Sequence, residues 1–276
     1  MRVAIAGASG RMGHMLIEAA LAVRDFQIAA AFDRADSPAI GRDCAEFLGR
    51  STGATVSSEL KGLNDADVLI DFTRPEATLA HLAACVDVGV NMVIGTTGFD
   101  DAGKRAIEAA AKKIAIVFAP NMGVGVNAML KLLDLAARIL NDGYDVEIVE
   151  MHHKHKVDAP SGTALKMGEV IALARTQAFN EVAVLSREGN VGERKPGTIG
   201  FASVRGGDVI GDHTVVFAGV GERIEITHRA SSRMTYAVGS MRAARFLARR
   251  RAGLYDMFDV LGLDAKSDQP TAIAGR

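Results

Sequence analysis

Tryptophan is absent from the 276 residues, and there are only three tyrosines, six prolines and two cysteines. The cysteines, Cys44 and Cys85, are too few and too isolated for a disulfide framework or a cysteine-ligated zinc, as in proteins of a reducing compartment, and the chain is read as cytoplasmic. An excess of charge of either sign is also missing: 32 Lys plus Arg against 33 Asp plus Glu leave a net charge of −1. No broad field therefore draws nucleic acid or an acidic membrane, and neither is expected as a partner. Any anion must be held locally. Long apolar runs are lacking too: none approaches the ~20 residues that span a bilayer, and the apolar stretch within Met1–Gly7 is too short for the core of a signal peptide. With 49% apolar and 24% charged residues, the chain reads as globular, with length for about two domains.

The first third alternates short apolar runs with helical stretches, the pattern of an α/β fold with a Rossmann-like parallel sheet. Strands are predicted at 2–6, 27–32, 67–72, 91–94 and 114–118, with helices such as 12–23 and 102–112 between them. Nearly all-apolar strands suit burial on both faces, and right-handed crossovers bring their C-terminal ends to one edge, where ligands of open sheets bind. From about Val124 the pattern becomes α+β: a helix (126–140), a strand (146–151), a helix (164–174), then successive strands. Residues 223–228 alternate polar and apolar, as in a sheet with one wet face. Arg205-Gly206-Gly207-Asp208 is read as a tight hairpin turn joining two such strands. After Arg233 a helical run is expected to return to the first domain, and the small polar tail from Lys266 to Arg276 is expected to be mobile.

Gly7-Ala8-Ser9-Gly10-Arg11-Met12-Gly13 falls between the first strand and the first helix. There, glycines let the backbone approach a pyrophosphate, whose charge is met by free N–H groups and the positive end of the helix dipole. The G-x-x-G-x-x-G spacing is a weak signal alone. Asp33, at the end of the second strand, stands where an acid accepts from ribose hydroxyls, and Arg34 beside it would pair with a 2′-phosphate, so NADH or NADPH is expected. The later strand-end segments 71–75, 95–99 and 119–123 should line the same edge. Gly95, Thr96, Thr97, Ala119, Asn121 and Met122 are candidates to hold a nicotinamide there.

The densest chemistry is E-M-H-H-K-H-K-V-D-A-P-S-G-T-A at 150–164. Successive strand residues point to opposite faces, so consecutive histidines do not converge on a tetrahedral metal, and none is predicted. Ser161 lacks a nucleophile elbow and would more naturally cap the following helix, whose free N–H groups offer a second anion site. Two separated anion holders suit a small dicarboxylate. A hydride acceptor finally needs a proton, which an imidazole supplies near neutral pH and a lysine crowded by cations can also supply. His152 is the first candidate donor and Lys156 the second; His153, Lys156, Ser161, Gly162, Thr163 and Arg233 are candidates for the substrate.

Taken together, G-A-S-G-R-M-G at 7–13, D-F-T-R-P-E at 71–76, G-T-T-G-F at 95–99, the 150–164 segment and S-S-R-M-T at 231–235 resemble the bacterial 4-hydroxy-tetrahydrodipicolinate (dihydrodipicolinate) reductases. The likeness runs along nearly the whole chain. It implies NAD(P)H-dependent reduction on the diaminopimelate route to lysine, with acid–base chemistry at His152 and a proton or substrate contact at Lys156. It further implies a Rossmann domain of residues 1–123 and 233–276, an inserted α+β domain with a mixed open sheet at 124–232 for substrate and oligomerisation, and a homotetramer. Domain closure about hinges near Met122 and Arg233 is also expected. Two positions depart from the family pattern: Asp33 stands where the best-known enterobacterial members have Glu, and Pro120-Asn121-Met122-Gly123 replaces a more usual Ala-Asn-Phe-Ser. The rival readings are an NAD-dependent aspartate-type amino acid dehydrogenase and a non-catalytic NADPH sensor.

Overall fold

The structure, a computed structural model, describes residues 1–263; the tail expected to be mobile lies outside the described residues. Two compact units divide the chain, one comprising Met1–Val124 and the chain from Met234 onward, the other Gly125–Arg233.

The first unit is built from β1 (Arg2–Ala6), α1 (Arg11–Leu21), β2 (Gln27–Phe32), β3 (Val56–Ser57), β4 (Val68–Asp71), α2 (Pro75–Val88), β5 (Asn91–Ile94), α3 (Asp101–Ala110) and β6 (Ala115–Phe118). The sheet order β6-β5-β4-β1-β2-β3 is parallel throughout. Period-two alternation feeds two cores. Val3 and Ile5 face one side with Leu16 and Ile17 of α1, whereas Ala4 and Ala6 face the other with Leu82 of α2 and Ile107 of α3. Each near-continuous apolar strand is thus buried on both faces, as parallel pairing requires.

The second unit begins within α4 (Val124–Ile139) and continues through β7 (Asp145–His152), α5 (Gly162–Ala174), α6 (Phe179–Val182), β8 (Ala183–Val184), β9 (Ile199–Arg205), β10 (Gly211–Ala218) and β11 (Arg223–Ala230). Its sheet is mixed, in the order β11-β10-β7-β9-β8, with β7 parallel to β9 and antiparallel to β10. The inner face carries Val146, Ile148, Phe201, Val215 and Phe217, all buried, and α5, which packs on β7 and β9, buries Met167 and Ile171. The chain then re-enters the first unit as α7 (Met234–Leu247), β12 (Gly253–Tyr255) and α8 (Met257–Leu261), with β12 adding a seventh, parallel strand beside β6.

One sequence expectation is corrected. Arg205–Asp208 does join two antiparallel strands, but they are not hairpin partners, because β7 lies between β9 and β10. The turn instead crosses the end of β7, where the Gly206 N–H donates to the His152 carbonyl (2.9 Å) and the Lys154 N–H donates to the Gly207 carbonyl (3.2 Å). Glycine signalled a turn; the strand in the middle was fixed by pairing at long range. Among the described residues no helix is long and apolar enough to cross a membrane.

Candidate active site

In the first unit, the turns after β1, β2, β4, β5 and β6 all follow the C-terminal ends of parallel strands, the edge at which α/β sheets bind ligands. Gly7 has φ +67°, and a Cβ on Gly13 would sit 2.1 Å from the Gly7 carbonyl oxygen, so that the helix start lies directly against the turn. Gly10 caps α1 without a side-chain hydrogen bond. The first-turn N–H groups of Arg11, Met12 and Gly13 therefore remain donors for an anion. Asp33 is tied to this loop: its Oδ2 accepts from the Ser9 N–H (2.8 Å) and hydroxyl (2.5 Å), and its Oδ1 from the Arg34 N–H (2.9 Å). Arg34 and Arg11 are exposed, with Arg34 pairing to Asp36 at 3.1 Å.

Other candidates in this unit turn inward. The Thr96 hydroxyl donates to buried Asp71 (3.2 Å) and accepts from Thr78 (2.8 Å) and from the Thr73 N–H (3.0 Å). The Met122 side chain is fully buried in the core. Asn121 Oδ1 accepts from the Gly123 N–H at 2.8 Å. Gly95 is half-buried, Ala119 buried and Thr97 exposed. At Thr96 and Met122, whose side chains are taken up within the protein, it is the backbone that is left to face a ligand.

In the second unit, the buried residues of β7 keep strict period two: Val146, Ile148, Glu150, His152. The inner face thus changes from apolar to ionisable at the strand's end without changing direction. Glu150, 1% exposed, is ringed by donors. Arg205, at the end of neighbouring β9, grips it with two bonds of 2.8 Å, His152 Nδ1 lies 2.5 Å from Oε2, and the Ser161 N–H donates to Oε1 at 3.2 Å. Burial pushes the Glu150 carboxyl up, but hydrogen bonding by Arg205, Ser203 and His152 outweighs it and holds the group down at about 2. Burial lowers the pKa of His152, with further lowering from Lys156 and Arg205, against an opposing contribution from Glu150.

Ser161 caps α5, as its sequence context suggested: its hydroxyl accepts from the Ala164 N–H at 3.1 Å and bonds His213 Nε2 at 3.0 Å. That hydroxyl is buried and engaged within the protein. Exposed Gly162 and half-buried Thr163 stand at the helix start. Lys156 Nζ grips both oxygens of Asp158 at 2.7 and 2.8 Å. His153 is half-buried, and its Nδ1 has no partner among the described residues. Arg233 is half-buried in the turn after β11. The sequence reading assigned no role to Glu150, Arg205 or His213. Glu150 could have been flagged by its i, i+2 relation to His152; the other two come from strands whose register is set only by folding. Burial and the adjacent His152 push His213, which stands opposite Glu150 in the ladder, down to about 4.

The architecture places the chain in a class, the two-unit oxidoreductases whose parallel-sheet unit takes a nicotinamide dinucleotide. The description "Dihydrodipicolinate reductase, N-terminus" matches residues 1–122, and "Dihydrodipicolinate reductase, C-terminus" matches residues 125–261. The chain belongs to the dihydrodipicolinate reductase family. It is 64% identical over 264 residues to the 4-hydroxy-tetrahydrodipicolinate reductase of Herminiimonas arsenicoxydans, covering 95% of this chain and 98% of that one. Its identity to the protein of the same name from Bordetella parapertussis is 66% over 262 residues, covering 95% and 97%. Among solved structures it is similar to a dipicolinate-bound dihydrodipicolinate reductase from Paenisporosarcina sp. TG-14, with TM-score 0.74 and 28% identity over 94% of this chain and 98% of that one.

Proposed function

We propose that this chain reduces 4-hydroxy-tetrahydrodipicolinate to tetrahydrodipicolinate with NADH or NADPH, on the diaminopimelate route to lysine. The observation that carries the reading is a buried, carboxylate-anchored histidine at the end of β7 with a lysine four residues on, within a chain whose relatives at 64–66% identity bear that reductase name. Dipicolinate, bound in the Paenisporosarcina structure, is itself a ring dicarboxylate.

The N–H groups and helix dipole at Gly7–Gly13 hold the dinucleotide's pyrophosphate, with Ala8, Ser9, Arg11 and Met12 shaping the turn. Asp33 takes ribose hydroxyls, since a carboxylate with three donors still has lone-pair capacity. Exposed Arg34 takes a 2′-phosphate where the cofactor carries one, in exchange for its surface pairing with Asp36. Backbone groups of Gly95, Thr96, Thr97, Ala119, Asn121 and Met122 hold the nicotinamide end. The bound cofactor supplies the hydride. Lys156, with one donor to spare beyond its two to Asp158, binds one substrate carboxylate together with His153 and Arg233. The start of α5 at Gly162 and Thr163, fixed by Ser161, takes the other. His152 delivers the proton: an arriving dianion raises the pKa of an imidazole that burial keeps low, so protonation and substrate binding reinforce each other. The molecule is a cytoplasmic homotetramer in this reading, and exposed Val149 and Val204 on the outer face of the second sheet are available for such packing.

Steady-state reduction of the enzymatically generated substrate, with NADH and NADPH in parallel, tests reaction and cofactor together. His152→Gln is expected to keep the fold by circular dichroism and to lose roughly 10²- to 10⁴-fold in kcat, the usual contribution of a positioned acid. Undiminished turnover in that variant, or oxidation of free aspartate in place of the reduction, overturns the reading.

A further inference from the structure

We infer that Glu150 is a positioning residue for His152: its carboxylate, pinned by Arg205, fixes the ring with the proton on Nδ1 and leaves Nε2 as the nitrogen that exchanges protons with substrate. This rests on the reading of His152 as the proton donor.

Both oxygens of Glu150 are surrounded by donors. The Arg205 guanidinium takes one bond to each, and the Ser161 N–H adds a third contact, so the carboxyl acts only as an acceptor. The 2.5 Å contact to His152 then requires the hydrogen to sit on Nδ1. Arg205 is held in turn, since it also donates to the carbonyls of Asp158 (2.6 Å) and Val204 (2.8 Å). The ring's other nitrogen lies over Gly211, where a Cβ would come within 3.0 Å of Nε2. The absence of a side chain there leaves that nitrogen uncrowded. One carboxylate thereby links the proton donor, the 158–161 loop and the start of α5.

The charged and titratable groups facing His152 are Glu150 on its own strand, Lys156 with its partner Asp158 on the following loop, Arg205 on β9 and His213 on β10, whose ring stands edge-on at 5.1 Å. Glu150 raises the proton affinity of His152, and Arg205 lowers it. A proton donor works only while protonated, so kcat/KM falls as pH rises through its pKa. Removing the charge of Glu150 must then move this alkaline limb to lower pH, and removing that of Arg205 must move it to higher pH. Shifts of opposite sign would show that the group limiting turnover on the alkaline side feels both charges, which places it at His152.

The test uses the full chain and the variants Glu150→Gln, Arg205→Gln, His152→Gln and the Glu150→Gln/His152→Gln double variant, assayed from pH 5.5 to 9. Glu150→Gln is expected to lose roughly 10- to 100-fold in kcat, the range seen when the carboxylate that orients a metal-bound histidine is removed, with KM changed by less than about threefold. Its alkaline limb shifts down, and that of Arg205→Gln shifts up. In the His152→Gln background the Glu150 change adds less than about twofold, because the two act as one unit. Should Glu150→Gln not fold, Glu150→Asp, which keeps the charge, is expected to retain the wild-type limb while losing kcat. An unshifted limb in Glu150→Gln, a displaced limb in Glu150→Asp, or shifts of the same sign in Glu150→Gln and Arg205→Gln overturn the inference even where His152→Gln is impaired. An unimpaired His152→Gln overturns instead the reading on which it rests.

Discussion

Each unit buries one carboxylate at the end of a strand and sets a histidine Nδ1 against it, Asp71 with His81 at 2.6 Å and Glu150 with His152 at 2.5 Å. The surroundings differ. Asp71 Oδ1 is met by neutral donors, namely the Thr73 N–H (2.8 Å) and the hydroxyls of Thr73 (2.7 Å), Thr78 (3.1 Å) and Thr96 (3.2 Å). These join the turn after β4 to the turn after β5. Glu150 is instead met by a guanidinium. Burial pushes the Asp71 carboxyl up, yet its bonds with His81 and Thr73 outweigh that and hold it below the ordinary value. The contrast teaches that one chemical pair can be built into two settings: ringed by hydroxyls it ties together two strand-end turns, and ringed by charge it is, in the reading we propose, what sets the protonation of His152.

The sharpest way to break this comparison is Asp71→Ala. Removing the hub leaves three hydroxyls, an N–H and a histidine without their shared acceptor, and loss of one partner of a buried pair costs about 3–5 kcal/mol. Urea denaturation should show that loss, with NADH affinity falling as the two turns loosen. A loss below ~1 kcal/mol means that the hydroxyls satisfy one another, and Asp71 is then no counterpart to Glu150.

That Asp71 organises anything was not legible in D-F-T-R-P-E, because Thr78 and Thr96 reach it only once α2 and β5 are packed. Short-range signals fared well. The predicted strands 2–6, 27–32 and 91–94 coincide with β1, β2 and β5, since each is an apolar run bounded by turn residues and needs no partner to be recognised. Ser161 was readable as a cap from its own neighbours. The hairpin reading of 205–208 failed for the converse reason: glycines report local backbone, whereas the insertion of β7 between β9 and β10 is a matter of long-range pairing. Arg205 was missed in the same way, as it meets Glu150 across 55 residues of sequence.

Acidification separates the two units. The histidines whose pKa burial lowers, His152, His213 and His228, all lie in the second unit, and His213 falls to about 4 from an ordinary 6.5. Below 6.5 the unfolded chain binds a proton at His213 that the folded chain refuses. The associated stability is therefore complete above 6.5 and is lost as pH falls through about 4, a difference of about 3 kcal/mol for this residue. Glu150 in the second unit, with a folded value of about 2 against 4.5, and Asp43 in the first, about 2 against 3.8, follow the same sign, but below the pH range in which His213 separates the units. Hydrogen exchange between pH 7 and 4.5 should show β10 amides losing protection before those of β4, and His213→Gln should flatten that slope. Equal loss in both strands would show that histidine burial does not distinguish the units.

The smallest effects come from the helix caps, which sharpen the comparison without touching a charge pair. Asp100 caps α3 in the first unit, accepting from the Gly103 N–H at 2.7 Å from an exposed position. Ser161 caps α5 in the second, buried and also bonded to His213. Alanine at an exposed cap typically costs about 1 kcal/mol. At Ser161 the same truncation also strands His213 Nε2, whose Nδ1 already has no partner among the described residues, so a further ~1 kcal/mol is added for an unsatisfied buried group. Urea midpoints should therefore rank Ser161→Ala below Asp100→Ala, with the gap narrowing in a His213→Leu background, where no stranded nitrogen remains. A gap that persists there would assign the difference to helix burial and not to the polar chain running from α5 into the sheet.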